Sequence, residues 1–158
     1  MKENYTAAVK QVLSDYLEEN GLRKTPERFA VLETAYSFGS HFSIKELSEK
    51  MEAQNFPVSR ATLYSALNLF VELRLIACHR LGTGSRYEAC YANDNHCYQI
   101  CRKCGKVSET KAPKVESAIE DVHLKRFRRD GFSLYIYGVC STCQAKMTRE
   151  KNKKKIKK

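Results

Sequence analysis

Cys101-Arg102-Lys103-Cys104 and Cys140-Ser141-Thr142-Cys143 decide how the second half of this chain folds. They are two Cys-x2-Cys pairs with 35 residues between them. Such a turn points two thiolates at one tetrahedral ion, and two turns close a four-cysteine shell, the chemistry of structural Zn²⁺. Gly105 follows the first pair and Gly138 precedes the second, as tight knuckle backbones favour. The alternative is a set of buried or disulfide-bonded cysteines; with no secretory signal at residue 1, an oxidising compartment is not expected. The gap is long enough for a helix and strands, so the metal is expected to clasp a small domain.

Working outward, the 158 residues suit one domain or two small ones, and 42% hydrophobic residues give enough apolar material for real cores. The apolar runs are too short to cross a bilayer, and the expected location is cytoplasmic, with no membrane partner. Four of the seven cysteines are used above, leaving Cys78, Cys90 and Cys97 as reduced thiols. The formal charge of +10 is unevenly spread. Residues 1–92 carry 11 basic and 11 acidic side chains, whereas residues 146–158 carry eight and one. That run is expected to be a disordered, self-repelling tail with salt-sensitive affinity for phosphate as a secondary role.

Upstream, Val9, Val12, Leu13, Tyr16 and Leu17 make one stripe of a predicted helix over residues 7–20. Thr25-Pro26 opens a second helix, with Thr25 as its cap. Ser43-Ile44-Lys45-Glu46 is a capping box opening a third. Ser59 caps a fourth, whose buried stripe is Leu63, Ala66, Leu67 and Phe70. Two strand-like runs follow, 76–80 and 86–91, joined by a loop with two glycines. Compact helices followed by a β-hairpin is the order of a winged helix, so the fold class is α+β: an N-terminal winged helix-turn-helix domain and a small C-terminal α/β domain with the four-cysteine zinc site.

The other face of the fourth helix carries Arg60, Ala61, Tyr64, Ser65 and Asn68. Its small side chains allow close approach to a major groove, Arg60 suits phosphate or guanine, and Tyr64 suits thymine methyls. Arg80 and Arg86 on the wing add cations. In the C-terminal half, Pro113 opens a helix, and residues 133–139 form a strand apolar on both faces, which dimerisation would cover. Four histidines, His41, His79, His96 and His123, are scattered along the chain, and a second metal site would need such groups to converge from separate segments. No nucleophile, base and orienter are found together, so an enzyme is not expected.

The stretches 21–28 (GLRKTPER), 58–70 (VSRATLYSALNLF), 100–107 (ICRKCGKV) and 133–140 (SLYIYGVC) resemble the ferric uptake regulator family of bacterial metalloregulators, over nearly the whole chain to about residue 145. The resemblance implies a cytoplasmic homodimer that binds a palindromic double-stranded DNA operator and represses metal (iron) uptake or homeostasis genes. The polar, turn-like run 92–96 marks the domain boundary and hinge, between a winged-helix domain over 1–91 and a zinc-containing domain over 97–145, for which the resemblance implies dimerisation, and the basic tail covers 146–158. Arg23 matches a residue that enters the minor groove and Tyr64 one that touches bases; Ser65 stands where the family has arginine, with Arg60 as its substitute. A regulatory divalent metal (Fe²⁺, Zn²⁺ or Mn²⁺) is implied at His41, Glu88, His96 and Glu109, with Tyr98 in place of a further histidine. Of another family site Glu116 remains, while Asn95, Cys97 and Phe132 replace its partners. The rival readings are a thiol- or haem-responsive regulator using Cys97 and His96, and a zinc-stabilised adaptor whose winged helix binds protein.

Overall fold

The computed structural model describes residues 2–81, 84–90, 95–129 and 131–156, with the backbone alone for residues 2–4. Gly82 and Thr83 of the expected wing loop, Tyr91 of its second strand, residues 92–94 of the expected hinge, and the end of the tail lie outside these. The chain divides into two compact units, Met1–Ala92 and Asn93–Lys158.

In the first unit four helices precede a hairpin: α1 (Lys2–Glu19), α2 (Pro26–Tyr36), α3 (Ile44–Ala53), α4 (Arg60–Glu72), β1 (Ile76–Leu81) and β2 (Gly84–Ala89). Helix α1 begins five residues earlier than its apolar stripe predicts, and Val12 of that stripe is exposed while Val9, Leu13 and Leu17 are fully buried. Thr25 flanks α2 in extended conformation but makes no side-chain cap; Pro26, which needs no N–H partner, starts the helix. The capping box on α3 is complete: Glu46 N–H donates to Ser43 Oγ and Ser43 N–H to the Glu46 carboxylate. Ser59 caps α4 by accepting from Thr62 N–H at 3.2 Å, and the stripe Leu63, Ala66, Leu67, Phe70 is buried as its spacing requires. These side chains meet Leu32, Leu47 and Met51 in one core.

The hairpin pairs Ala77 with Glu88 and His79 with Arg86. Phe42, just before α3, adds an isolated bridge to Tyr87, with both backbone hydrogen bonds at 2.8 Å. Tyr36 Oη lies 2.6 Å from the carbonyl oxygens of both Leu75 and Cys90, fastening the end of α2 to both sides of the hairpin's base.

The second unit holds β3 (His96–Cys101), β4 (Val107–Thr110), α5 (Pro113–Glu120), β5 (Ser133–Gly138) and α6 (Ser141–Ile156). The sheet order is β4-β3-β5, antiparallel on one side of β3 and parallel on the other. Two expectations are corrected here. His96 opens β3, pairing with Ser133, and so is strand and not linker. Residues 146–156 are not a disordered tail but the continuation of α6. Like-charge repulsion argues for disorder, but the run contains no glycine or proline, and eight of its eleven residues are lysine, arginine, glutamate or methionine, all strong helix formers.

Strand β5 leaves apolar surface uncovered in the protomer: Ile136 is 48% and Tyr137 58% exposed. Helix α5 buries no residue, and its Val115 is exposed. One face of the sheet carries an aromatic ladder, His96 on Tyr98, Tyr98 on Tyr135 and Tyr135 on Tyr137, with ring centroids 5.5, 5.6 and 6.5 Å apart.

Candidate functional site

Three sets of side chains carry chemistry. The first is the four-cysteine cluster. Gly105 takes the left-handed conformation, φ 72°, that turns the chain after Cys104. Its N–H returns to Cys101 O at 2.9 Å, and Cys101 N–H donates to Lys106 O at 2.9 Å. Arg102 N–H donates to Gly138 O at 2.9 Å, tying the first knuckle to the end of β5. Gly138 itself has an ordinary φ and open space where a Cβ would sit, so the second knuckle does not require glycine there. The second pair straddles the start of α6, where Cys143 is buried in the first turn. The sulfurs of Cys101, Cys104, Cys140 and Cys143 lie within 4.8 Å of one another, with Cys104 and Cys140 Sγ 3.8 Å apart.

This donor set fits a zinc ion. Backbone N–H groups of Cys140 and then Cys104 hold the Cys101 thiol down to about 6, while the sulfur of Cys140 and burial push Cys143 up to about 12. Crowding thus works against a further thiolate at Cys143, and a cation among the sulfurs would offset it, since a metal takes the thiolate form.

The second set is the outer face of α4. Arg60, Tyr64, Ser65 and Asn68 are all exposed, Tyr64 by 47%. Ser59 fixes where the helix starts and the buried stripe fixes its rotation, so the face is presented by the core. Arg23 is exposed in the link before α2, with its carbonyl held by the Arg28 guanidinium at 2.7 Å. On the wing Arg80 is exposed, but Arg86 pairs with Glu46 of α3 at 2.8 Å, so it is a strut more than an available cation.

The third set is histidine and carboxylate. In the first unit His41 Nε2 and His79 Nε2 lie 3.1 and 3.2 Å from the same oxygen, Oε2 of Glu88. Burial raises the Glu88 carboxyl, but the hydrogen bonds and charges of His41 and His79 outweigh it and hold the group down to about 2. In the second unit His96 Nδ1 lies 2.9 Å from Glu109 Oε1. Its buried Nε2 has no hydrogen-bond partner among the described residues, as a nitrogen reserved for a metal would not. The four residues expected as one ligand set therefore pair within their own units, His41 with Glu88 and His96 with Glu109.

His79 is absent from the ligand set that the sequence suggests. The signal that could have found it is the hairpin register: with Ala77 opposite Glu88, alternation puts His79 and Glu88 on one face. Cys97 is 2% exposed inside β3, the setting of an inert structural thiol and not of a sensor. Glu116 Oε1 accepts from Ala112 N–H at 3.3 Å and so serves the start of α5.

A model of the ferric uptake regulator family matches residues 19–137. The chain belongs to that family. Among its relatives, the ferric uptake regulation protein of Campylobacter upsaliensis is 32% identical over 136 residues, covering 82% of this chain and 85% of that protein. The peroxide operon regulator of Bacillus subtilis (strain 168) is 30% identical over 132 residues, covering 82% and 90%. Of the solved structures, the Vibrio cholerae ferric uptake regulator is 28% identical at a TM-score of 0.56, covering 80% of this chain and 98% of that one. The Helicobacter pylori regulator, described with three functional metal-binding sites, shares the fold at a TM-score of 0.70 and 24% identity, covering 88% and 93%. As a member of this family the chain is a metal-dependent transcription regulator.

Proposed function

We propose that this protein is a homodimeric repressor of metal-uptake or metal-homeostasis genes that binds a palindromic duplex when a divalent metal is present. The observation that carries the reading is the outer face of α4: a cation, a phenol, a hydroxyl and an amide, exposed on a helix whose orientation the core fixes. Arg60, Tyr64 and Ser65 read the major groove, while Arg23 contacts backbone or minor groove. The uncovered Ile136 and Tyr137 of β5 support a second copy of the chain as their cover, and a two-fold dimer matches a two-fold site.

Cys101, Cys104, Cys140 and Cys143 would hold a structural zinc that cross-links the two knuckles. His41, Glu88, His96 and Glu109 are the candidate regulatory ligands, a nitrogen and oxygen set suited to Fe²⁺, Zn²⁺ or Mn²⁺. A bound divalent ion supplies charge neutralisation and differential affinity there. The residues do the rest: Glu88 stays ionised in its half-buried place, and His96 keeps Nδ1 on Glu109 while its Nε2 faces no other partner. For metal to promote DNA binding, these residues must hold it more tightly in the DNA-competent form than in the other. Relatives bear the names of both iron and peroxide regulators, so the name does not choose the signal.

The test is to select duplexes from a random pool with the zinc-loaded full chain plus Mn²⁺, then measure affinity for the winner with and without Mn²⁺. Palindromic winners bound more tightly with metal are expected. Winners without two-fold symmetry, or affinity indifferent to metal and salt, would overturn the reading in favour of a protein-binding adaptor.

A further inference from the structure

His79 has no place in the ligand set just given, yet it is the most deeply buried histidine described, with a side chain 0% exposed. We propose that His79 is a metal ligand, and that with His41 and Glu88 it forms a divalent-cation site lying wholly within the first unit. The inference deepens the regulatory reading above and rests on it for its biological use, though not for the site itself.

The spacing is the first argument. With metal–ligand bonds of about 2.05 Å, two ligands at right angles sit roughly 2.9 Å apart, and two at the tetrahedral angle roughly 3.3 Å apart. The two imidazole nitrogens stand 3.1 and 3.2 Å from the carboxylate oxygen, between those limits. All three donor atoms lie within 4.8 Å of one another.

Preorganisation is the second. His41 precedes Phe42, and Phe42 exchanges both backbone hydrogen bonds with Tyr87, the neighbour of Glu88. His79 reaches the same point from β1 through the hairpin register. Three separate segments are thus brought together by backbone bonds that do not involve the donors, which is what a site of fixed geometry needs.

Burial is the third. The side chains of His41 and Glu88 are 16% and 20% exposed, so the carboxylate sits with two imidazoles and little water. Packing a core histidine requires one acceptor; a second imidazole converging on the same oxygen serves no packing need. Two imidazoles and one carboxylate favour Zn²⁺, Fe²⁺ or Co²⁺ over Ca²⁺ and Mg²⁺, which take oxygen shells. Three protein ligands leave coordination positions open.

The probe is Co²⁺ added to the full chain with zinc already in the four-cysteine cluster. Visible bands of a nitrogen–oxygen site report binding without the intense charge transfer that thiolates give. His79→Gln should lower Co²⁺ affinity by at least about tenfold, the low end of what even an outer partner of a ligand is worth. The thermal midpoint without Co²⁺ shows that the variant is folded. Unchanged affinity and bands in a folded His79→Gln would make His79 a hydrogen-bonded core histidine only and overturn the proposal. Should that variant not fold, His96→Ala keeps the test, because the first unit is untouched. With Co²⁺ bound it should retain two hyperfine-shifted, exchangeable imidazole signals, and one or none overturns the proposal. Weakened Co²⁺ binding in His79→Gln with an unaltered metal response on DNA supports the site while sinking its regulatory use. Intact Co²⁺ binding and intact response sink the site and spare the regulatory reading.

Discussion

Replacing Tyr64 by alanine tests the reading surface most directly, because the structure separates its effect on binding from its effect on folding. Tyr64 is 47% exposed on α4 and lies outside the buried stripe, so truncation opens no core cavity. Alanine is also the better helix former by a few tenths of a kcal/mol. Folding stability should therefore stay within about 0.5 kcal/mol of wild type, the range of ordinary surface substitutions. Binding should not. Arg60, Tyr64 and Asn68 follow one another at intervals of four residues, so they span about 12 Å along the helix at 1.5 Å per residue. That length faces three to four base steps of about 3.4 Å, with Tyr64 in the middle. A base contact is worth about 1–3 kcal/mol, and a two-fold complex loses it twice. The expected cost is thus about 2–6 kcal/mol, or roughly 30-fold to 10⁴-fold in affinity for the selected duplex. Fluorescence anisotropy against the selected and a scrambled duplex, over a salt series, measures both quantities. The ratio between the duplexes should collapse while the salt slope stays, since a phenol neutralises no phosphate. An unchanged ratio in a folded protein would mean that α4 does not read sequence and that the face is merely solvated.

Cys101→Ser or Cys140→Ser should release the zinc and lower the thermal stability of the second unit; metal stoichiometry and calorimetry check it, and equal zinc content with an unchanged melting point would refute it. Tyr36→Phe removes the hydroxyl that serves Leu75 O and Cys90 O, and should cost about 1–3 kcal/mol in urea unfolding. For the metal-free protein, Glu88 is held down to about 2 against an ordinary 4.5, so its contribution is present above pH 4.5 and lost as pH falls toward 2. Glu88→Gln should therefore flatten the acid limb of a stability–pH curve in that window, and an identical limb would refute the link. Changing Lys153, Lys154 and Lys155 together to glutamine should reduce the salt slope of DNA binding by roughly one for each phosphate no longer neutralised, and leave sequence preference intact. An unchanged slope would leave α6 without a role on DNA.

Much of the fold and of the zinc site is legible in the sequence because the signals are local. Ser43 with Glu46, Ser59 before an apolar stripe, and two knuckles of equal spacing each depend on residues a few positions apart, and each reports its own geometry. The features that escape the sequence depend on tertiary pairing. His79 joins His41 and Glu88 only through the strand register and the Phe42–Tyr87 bridge, and no periodicity in the sequence announces either. Arg86 reads as a wing cation until the fold brings Glu46, forty positions earlier, to 2.8 Å. The basic run misleads for a different reason. Its net charge favours disorder and its intrinsic propensity favours helix, and a lysine-rich run without breakers is compatible with either state until something starts the helix.

What starts it is in the structure. Beginning a helix is the costly step, since several residues must be fixed before the first hydrogen bond closes, whereas each later residue adds one bond for one residue fixed. In α6 that first turn is already fixed by the second knuckle: Cys140 O accepts Gln144 N–H at 2.9 Å, and Cys143 is the one residue of the helix that is buried. Everything described after Cys143 is exposed to water. The cysteine cluster is therefore a template as well as a clasp. It seeds a solvated cationic rod, so loss of order among four sulfurs would propagate outward and turn a directed line of positive charge into a diffuse one.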